Sequence, residues 1–387
     1  MTLQLSNRHG RLSQSPIRAM SHECRRLGGI NLAQGICDLP LPPLLGEAAA
    51  AAIAAGHNLY TRYDGIPELR AAIARRQGRD HGLEMDPENE LVVSCGATGA
   101  FYVACLALLD PGDEVILFEP YYGYHLSTLH LVQAAPAFVG LDPADNWSFK
   151  VEELAAAITP RTRAIMINTP ANPCGKVFSR HEIEQIRDLA VAHDLIIFTD
   201  EIYEYFIYDD LRHLAPATVE GMAERTVTIS GLSKTFHVTG WRLGYLSCRA
   251  DWAAAMGQLN DQIYVCPPAP LQYAAAEALS KMPADFYSTM RRESEIKRDM
   301  LCDALRRAGF PPHVPQGAYY VLADISRLPG RDSWERAMTI LHKSGVASVP
   351  GSAFFRGRQG EGLSRFCFAM EMDIIEDACR RLVAASF

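Results

Sequence analysis

Two cations on one short segment, Lys234 and Arg242, carry the densest chemistry in the sequence, within Ser230-Gly-Leu-Ser-Lys-Thr-Phe-His-Val-Thr-Gly-Trp-Arg-Leu-Gly-Tyr245. The β-branched run 226–229 reads as a strand that stops at small residues, which puts both cations on the loop beyond it. A lysine is costly to bury as a cation, and deprotonation or a covalent bond relieves that cost. An arginine stays charged and suits a phosphate. The pair predicts an imine-forming lysine beside a phosphate anchor.

Further polar residues fall just beyond other apolar runs. Gly96-Ala-Thr-Gly99 lies between an expected strand and an expected helix, so the backbone N–H groups of Ala97 and Thr98 stand at a helix N-terminus. That geometry binds phosphate without a charged side chain; a tight strand–helix turn is the alternative. The segment matches neither a dinucleotide fingerprint nor a Walker loop. Asp200 follows the run 195–199, as a cap for the next segment or as a salt-bridge partner for a protonated pyridine nitrogen. Tyr203 can donate its hydroxyl toward a ring oxygen. Asn172, in Ala171-Asn-Pro-Cys-Gly175, is a turn residue or an amide donor to a phenolate. Tyr122, in Glu119-Pro-Tyr-Tyr-Gly123, offers a flat face at a strand end or is an ordinary core or surface tyrosine. Arg365 opens the expected strand Arg-Phe-Cys-Phe-Ala and needs a partner, either a bound carboxylate or an internal acid.

The elements that must position these groups alternate from about 90 to 250. Strands are expected at 91–94, 114–118, 137–141, 163–168, 195–199, 225–229 and 243–247, with helices at 97–109, 122–133, 151–158 and 179–193. Ser179 with Glu182 makes a capping box. The strands are continuous apolar runs, which argues burial on both faces and a mostly parallel, doubly wound α/β sheet. In such a sheet ligands collect at the carboxyl ends of the strands. Beyond 250, helices are expected at 251–262, 270–281, 284–307, 332–344 and 373–385, with strands at 318–325, 347–349 and 365–370. The pattern predicts a large unit over 41–284 and a smaller α+β unit made of 1–40 and 285–387.

A chain of 387 residues exceeds one ordinary core. With 48% hydrophobic and 21% charged residues it is globular, and a formal charge of −8 without a basic stripe argues against nucleic acid. Ten scattered cysteines without a C-x-x-C pair are expected to be free, and twelve histidines without H-E-x-x-H predict no metal site. No signal peptide or membrane-spanning run is evident, so a cytoplasmic location is expected.

The order of these segments resembles the class I/II pyridoxal-phosphate aminotransferases of fold type I. The resemblance runs from Asn31-Leu-Ala-Gln-Gly35 through Tyr60-Thr-Arg-Tyr-Asp-Gly-Ile-Pro-Glu-Leu-Arg70 to Pro350-Gly-Ser-Ala-Phe354 and Arg365, with 172–175, 200–203 and 233–245 the most specific parts. It implies a large domain with a seven-stranded sheet and a smaller α+β domain. It implies that pyridoxal 5'-phosphate is joined to Lys234, whose freed amine shuttles the substrate α-proton in ping-pong transamination. Asp200 would pair with the ring nitrogen, Asn172 and Tyr203 with the ring oxygen, and Tyr122 would stack on the ring. Arg242 with the Ala97 and Thr98 amides would hold the phosphate. A hydroxyl often found three positions before the lysine is Gly231 here, leaving Ser230 or Ser233 for that contact. Tyr60 would reach the neighbouring subunit's cofactor, implying a homodimer with shared sites. Arg365 would clamp the substrate carboxylate, near Gly35 and Asn172. The stretch 260–270 carries no lysine or arginine for a side-chain carboxylate, and Ile36, Tyr60, Tyr122 and Tyr264 suggest an apolar or aromatic pocket. Neutral or aromatic donors are favoured. A carbon–sulfur β-lyase on the same cofactor is the nearest alternative, and a non-catalytic effector sensor of the same fold a distant one.

Overall fold

The structure, a computed structural model, describes Ser6, Gly10 and residues 15–387. Seven strands form the main sheet in the spatial order Leu91–Ser94, Gly244–Ser247, Thr226–Gly231, Ile196–Asp200, Thr162–Asn168, Glu114–Glu119, Ala135–Gly140. Gly244–Ser247 runs antiparallel to both neighbours, and the remaining pairings are parallel. Glu114–Glu119, Ile196–Asp200 and Thr226–Gly231 are buried at every position, as strands covered on both faces are, and in Thr226–Gly231 the buried positions include Thr226, Thr228 and Ser230.

Side chains alternate between two apolar layers because a strand has period two. Val115, Leu117, Met166 and Phe198 face Phe101, Ala104 and Met256 of the helices Gly96–Leu108 and Ala250–Tyr264. Ile116, Phe118, Ile165 and Ile197 face Leu154, Ile183 and Ile186 of the helices Val151–Ala157 and Arg180–Ala192. Each such side chain contributes about 1.5–3 kcal/mol of burial. The capping box at Ser179 and Glu182 is formed, so the second of these helices starts where its sequence says.

Outside the main sheet, Val349–Pro350, Leu363–Cys367, Tyr320–Asp324 and Pro312–His313 lie side by side, all antiparallel. Arg365 is the third residue of its strand rather than the first. It pairs across to Leu322 and Val349, so the ladder extends back to Leu363 and ends at Cys367. The expected strand at 347–349 is two short pieces, because Val346–Ala347 pairs with Ile30–Asn31 while Val349–Pro350 pairs with Leu363–Cys367. Three helices, Pro16–Arg26, Pro43–Ala54 and Pro67–His81, begin on a proline whose fixed φ and missing N–H suit a first helical turn. Met20 and Cys24 of the first pack on Ala337, Leu341 and Val349. No helix among the described residues is long and apolar enough to cross a membrane.

Behind the end of Ile196–Asp200 lies a buried polar cluster. Arg76 and Gln77 donate to Glu204 at 3.1 and 2.9 Å and to the Tyr245 hydroxyl, while His213 meets Glu201 at 2.5 Å. His81 sits among them with its side chain 6% exposed, 3.5 Å from Glu204. Burial, helped by the nearby His213 and Arg76, lowers the His81 pKa to about 3. A histidine whose folded pKa lies below its unfolded value binds a proton more readily when unfolded. Between about pH 6.5 and the folded value, stability therefore falls as pH falls, by about 1.4 kcal/mol per unit. Denaturant midpoints of the native chain should drop across that window, and His81→Gln, which cannot titrate, should flatten the drop. Equal slopes in both proteins would contradict it.

Candidate active site

The site forms where the parallel strands end. Asn168 pairs with Asp200, and Asp200 with Ile229, so three strand ends stand abreast and the chain from Gly231 runs on to Lys234. This is the crevice at the carboxyl edge where open α/β sheets take ligands. A cavity of about 360 Å³ opens there. Ala97, Thr98, Tyr122, Asn172, Asp200, Tyr203, Ser233, Lys234 and Arg242, all singled out from sequence, line it together.

Lys234 Nζ donates to the Gly35 carbonyl at 3.0 Å. Burial lowers its pKa, although the Cys37 and Cys367 thiols and Asp200 act the other way. Gly35 has no room for a side chain: a Cβ there would lie 1.9 Å from the Tyr320 hydroxyl. Asp200 is 8% exposed; one oxygen meets His125 Nε2 at 2.9 Å and the other accepts from the Ile202 amide at 3.2 Å. Tyr203 and Tyr320 share a hydrogen bond of 3.0 Å between hydroxyls. Tyr122 packs edge-on against His125 with centroids 5.3 Å apart.

At the other end of the cavity the helix Gly96–Leu108 starts without a side-chain cap, which leaves its first N–H groups free of a side-chain partner. Arg242, held in the left-handed region at φ 54, donates to the Thr239 carbonyl at 2.9 Å and lies against Gly96. A Cβ on Gly96 would sit 2.3 Å from Arg242 Nη2, and its φ of 77 also favours glycine. Glycine at 96 is thus what lets the guanidinium reach the helix start. Ser233 lines the cavity, whereas Ser230 is fully buried with its hydroxyl toward the Glu201 carbonyl.

Arg365 does not line the cavity but reaches its wall. It is 1% exposed, donates to Asn172 Oδ1 and the Ala33 carbonyl at 2.8 Å each, and lies between the Tyr320 and Phe354 rings, 4.1 and 4.8 Å from their centroids. Among the described residues no acid pairs with it, and its Nε has no hydrogen-bond partner. The internal ion pair is therefore absent there. A buried, uncompensated guanidinium is costly and calls for an anion.

Sequence reasoning also pointed to residues the chain does not gather here. Tyr60 is 83% and Ile36 37% exposed, and neither lines the cavity. Tyr264 lines an adjoining cavity of about 780 Å³ that shares Tyr122 and Tyr124 with the first. Conversely, His125, Asn168 and Tyr320 went unnoticed. His125, three residues after Tyr122 and so on the same helix face, carried the one readable signal. All ten cysteines are free, and the described residues hold no cluster suited to a metal.

This geometry agrees with comparison to known proteins. Residues 28–382 match the family model for aminotransferase class I and II. A Mycobacterium tuberculosis protein named probable N-succinyldiaminopimelate aminotransferase is 38% identical, with 94% of each chain covered. Aromatic-amino-acid aminotransferase 2 of Thermococcus litoralis is 34% identical over 98% of this chain and 97% of its own. The solved structure of the N-succinyldiaminopimelate aminotransferase of M. tuberculosis superposes with a TM-score of 0.94 at 37% identity, covering 99% of this chain and 100% of that one. The chain belongs to the class I and II aminotransferases. It is an enzyme of amino-group transfer on the fold-type-I architecture.

Proposed function

We propose that the chain moves the amino group of a neutral or aromatic L-amino acid to a 2-oxo acid, using pyridoxal 5'-phosphate held on Lys234. The observation that carries this reading is a half-buried amine of lowered pKa that lines one cavity with the Asp200 carboxylate, while a buried guanidinium at the cavity wall lacks an acid among the described residues. The residues fit the cofactor: the uncapped helix start at Ala97 and Thr98, Ser233 and Arg242 would hold its phosphate, and the Tyr122 ring would stack on it. When bound, the cofactor supplies a carbonyl carbon for covalent attachment of amines and a ring that withdraws electrons from the substrate α-carbon.

The remaining work belongs to the chain. Lys234 Nζ, whose proton affinity burial lowers, takes the α-proton and returns it. Asp200 holds the proton on the ring nitrogen, and His125 fixes the orientation of its carboxylate. Because Arg365 occupies Asn172 Oδ1, the Asn172 amide N–H groups are left to donate into the cavity. Tyr203, oriented by Tyr320, donates beside them. Arg365 takes the substrate α-carboxylate in its planar fork, close to Gly35.

The large unit, 41–284, would carry the cofactor, and 1–40 with 285–387 would bring Gly35 and Arg365 against it. Tyr60, exposed in the single chain, would complete the neighbouring site in a homodimer. Aromatic walls at Tyr122, Tyr124 and Tyr264 support neutral or aromatic donors. A panel of donors with 2-oxoglutarate tests this. Apolar and aromatic amino acids should give kcat/KM about tenfold or more above aspartate, a difference of about 1.4 kcal/mol. Aspartate leading the panel would overturn the substrate assignment.

A further inference from the structure

A further cavity, of about 310 Å³, shares no lining residue with the cavity at Lys234. Its walls are Leu39 and His237 on one side and the helix Asp285–Arg307 on the other, presenting Phe286, Met290, Glu293 and Lys297. Lys297 is only 5% exposed and lines this space. Among the described residues its ammonium has no hydrogen bond and no ion pair, although Glu293 and Glu371 are near enough to attract it. The side chain is largely buried while its ammonium stays accessible from the cavity, so a ligand carboxylate there would meet an unpaired cation.

His237 adds a second unmet group. Its Nδ1 lies 3.0 Å from the Pro40 carbonyl, which can only accept, so Nδ1 carries the proton. Burial lowers the pKa of the ring, and in the neutral ring with Nδ1 protonated Nε2 is an acceptor; it is buried without a partner. The rim supplies two exposed carboxylates, Asp285 and Glu293. One ammonium against two carboxylates makes the lining net negative, which disfavours phosphate or any multivalent anion. The cavity offers a cation for a carboxylate, acceptors for an ammonium, and the apolar faces of Leu39, Phe286 and Met290 for a side chain.

We propose that this cavity is a second amino-acid site, taking a free α-amino acid with an apolar side chain, its carboxylate on Lys297 and its ammonium toward His237 Nε2 and Glu293. The site is separate from the cavity at Lys234 and bears on it through two short segments. His237 lies three residues past Lys234, in the left-handed region at φ 58. Pro40, its partner, lies five residues past Gly35, whose carbonyl accepts from Lys234. Between them Cys37, also left-handed at φ 55, directs its thiol to the Lys234 carbonyl. An occupant pressing on His237 or Leu39 therefore acts on the same backbone that sets the Lys234 amine.

The test is a binding stoichiometry on the full-length holoenzyme with α-methylleucine, whose quaternary α-carbon bears no proton to abstract. The native protein should bind two molecules per chain. Lys297→Met, which keeps the length and removes the charge, and Met290→Trp, which fills the cavity, should each lose one event or weaken it at least about tenfold. Arg365→Ala should remove the other event alone, so failure of the active-site reading is seen separately. Loss in either cavity variant supports the second site. Binding left unchanged in both overturns it, whatever the stoichiometry.

Discussion

Lys234→Ala should lower turnover by at least about ten-thousand-fold, because the proposed mechanism gives this one side chain both the covalent attachment and the proton transfer. A positioned general base alone is worth about 10^2–10^4 in rate. The amine is half-buried, its pKa is held down by that burial, and its hydrogen bond to Gly35 aims it along the cavity wall. Among the described residues the cavity lining offers no other lysine to substitute for it. Single-turnover assays of cofactor-loaded protein measure the effect. Activity within tenfold of native would contradict the assignment.

Arg365→Ala is expected to act differently, on substrate affinity rather than on cofactor retention. The guanidinium sits between two aromatic faces, holds Asn172 and Ala33, and lacks an acid among the described residues. Its removal deletes the charge proposed to meet an α-carboxylate and leaves Asn172 Oδ1 without its donor. Losing one partner of a buried charge pair costs about 3 kcal/mol, or roughly two orders of magnitude in KM. The cofactor's absorbance should persist, since Lys234, Asp200, Ser233, Arg242 and the helix start at Ala97 and Thr98 are left in place. An unchanged KM would remove Arg365 from the substrate site.

Much of this site was legible because its residues fall at strand ends that apolar runs mark clearly. The expected strand at 114–118 is Glu114–Glu119, and that at 195–199 is Ile196–Asp200, shifts too small to move Asp200 or Lys234 from the crevice. Strand ends alone did not reveal Tyr320, because it belongs to a separate sheet, and its contact with Tyr203 spans 117 residues of sequence. The cluster of Arg76, Glu204 and His213 was equally hidden: each residue alone reads as a surface charge, and only packing buries them together. The short helices before residue 82 escaped notice because proline reads first as a breaker, although at a first turn it is a start. Tyr60 marks the limit in the other direction. Its proposed role lies in a second copy of the chain, and in one copy it is simply an exposed tyrosine.

Borohydride reduction of the cofactor-loaded protein, followed by peptide mass mapping, tests the central claim most directly. The mass of the reduced cofactor should appear on the peptide containing Lys234, on no other lysine, and not at all in Lys234→Ala. A native protein that holds its cofactor yet carries the label elsewhere, or releases it unlabelled, would contradict the account.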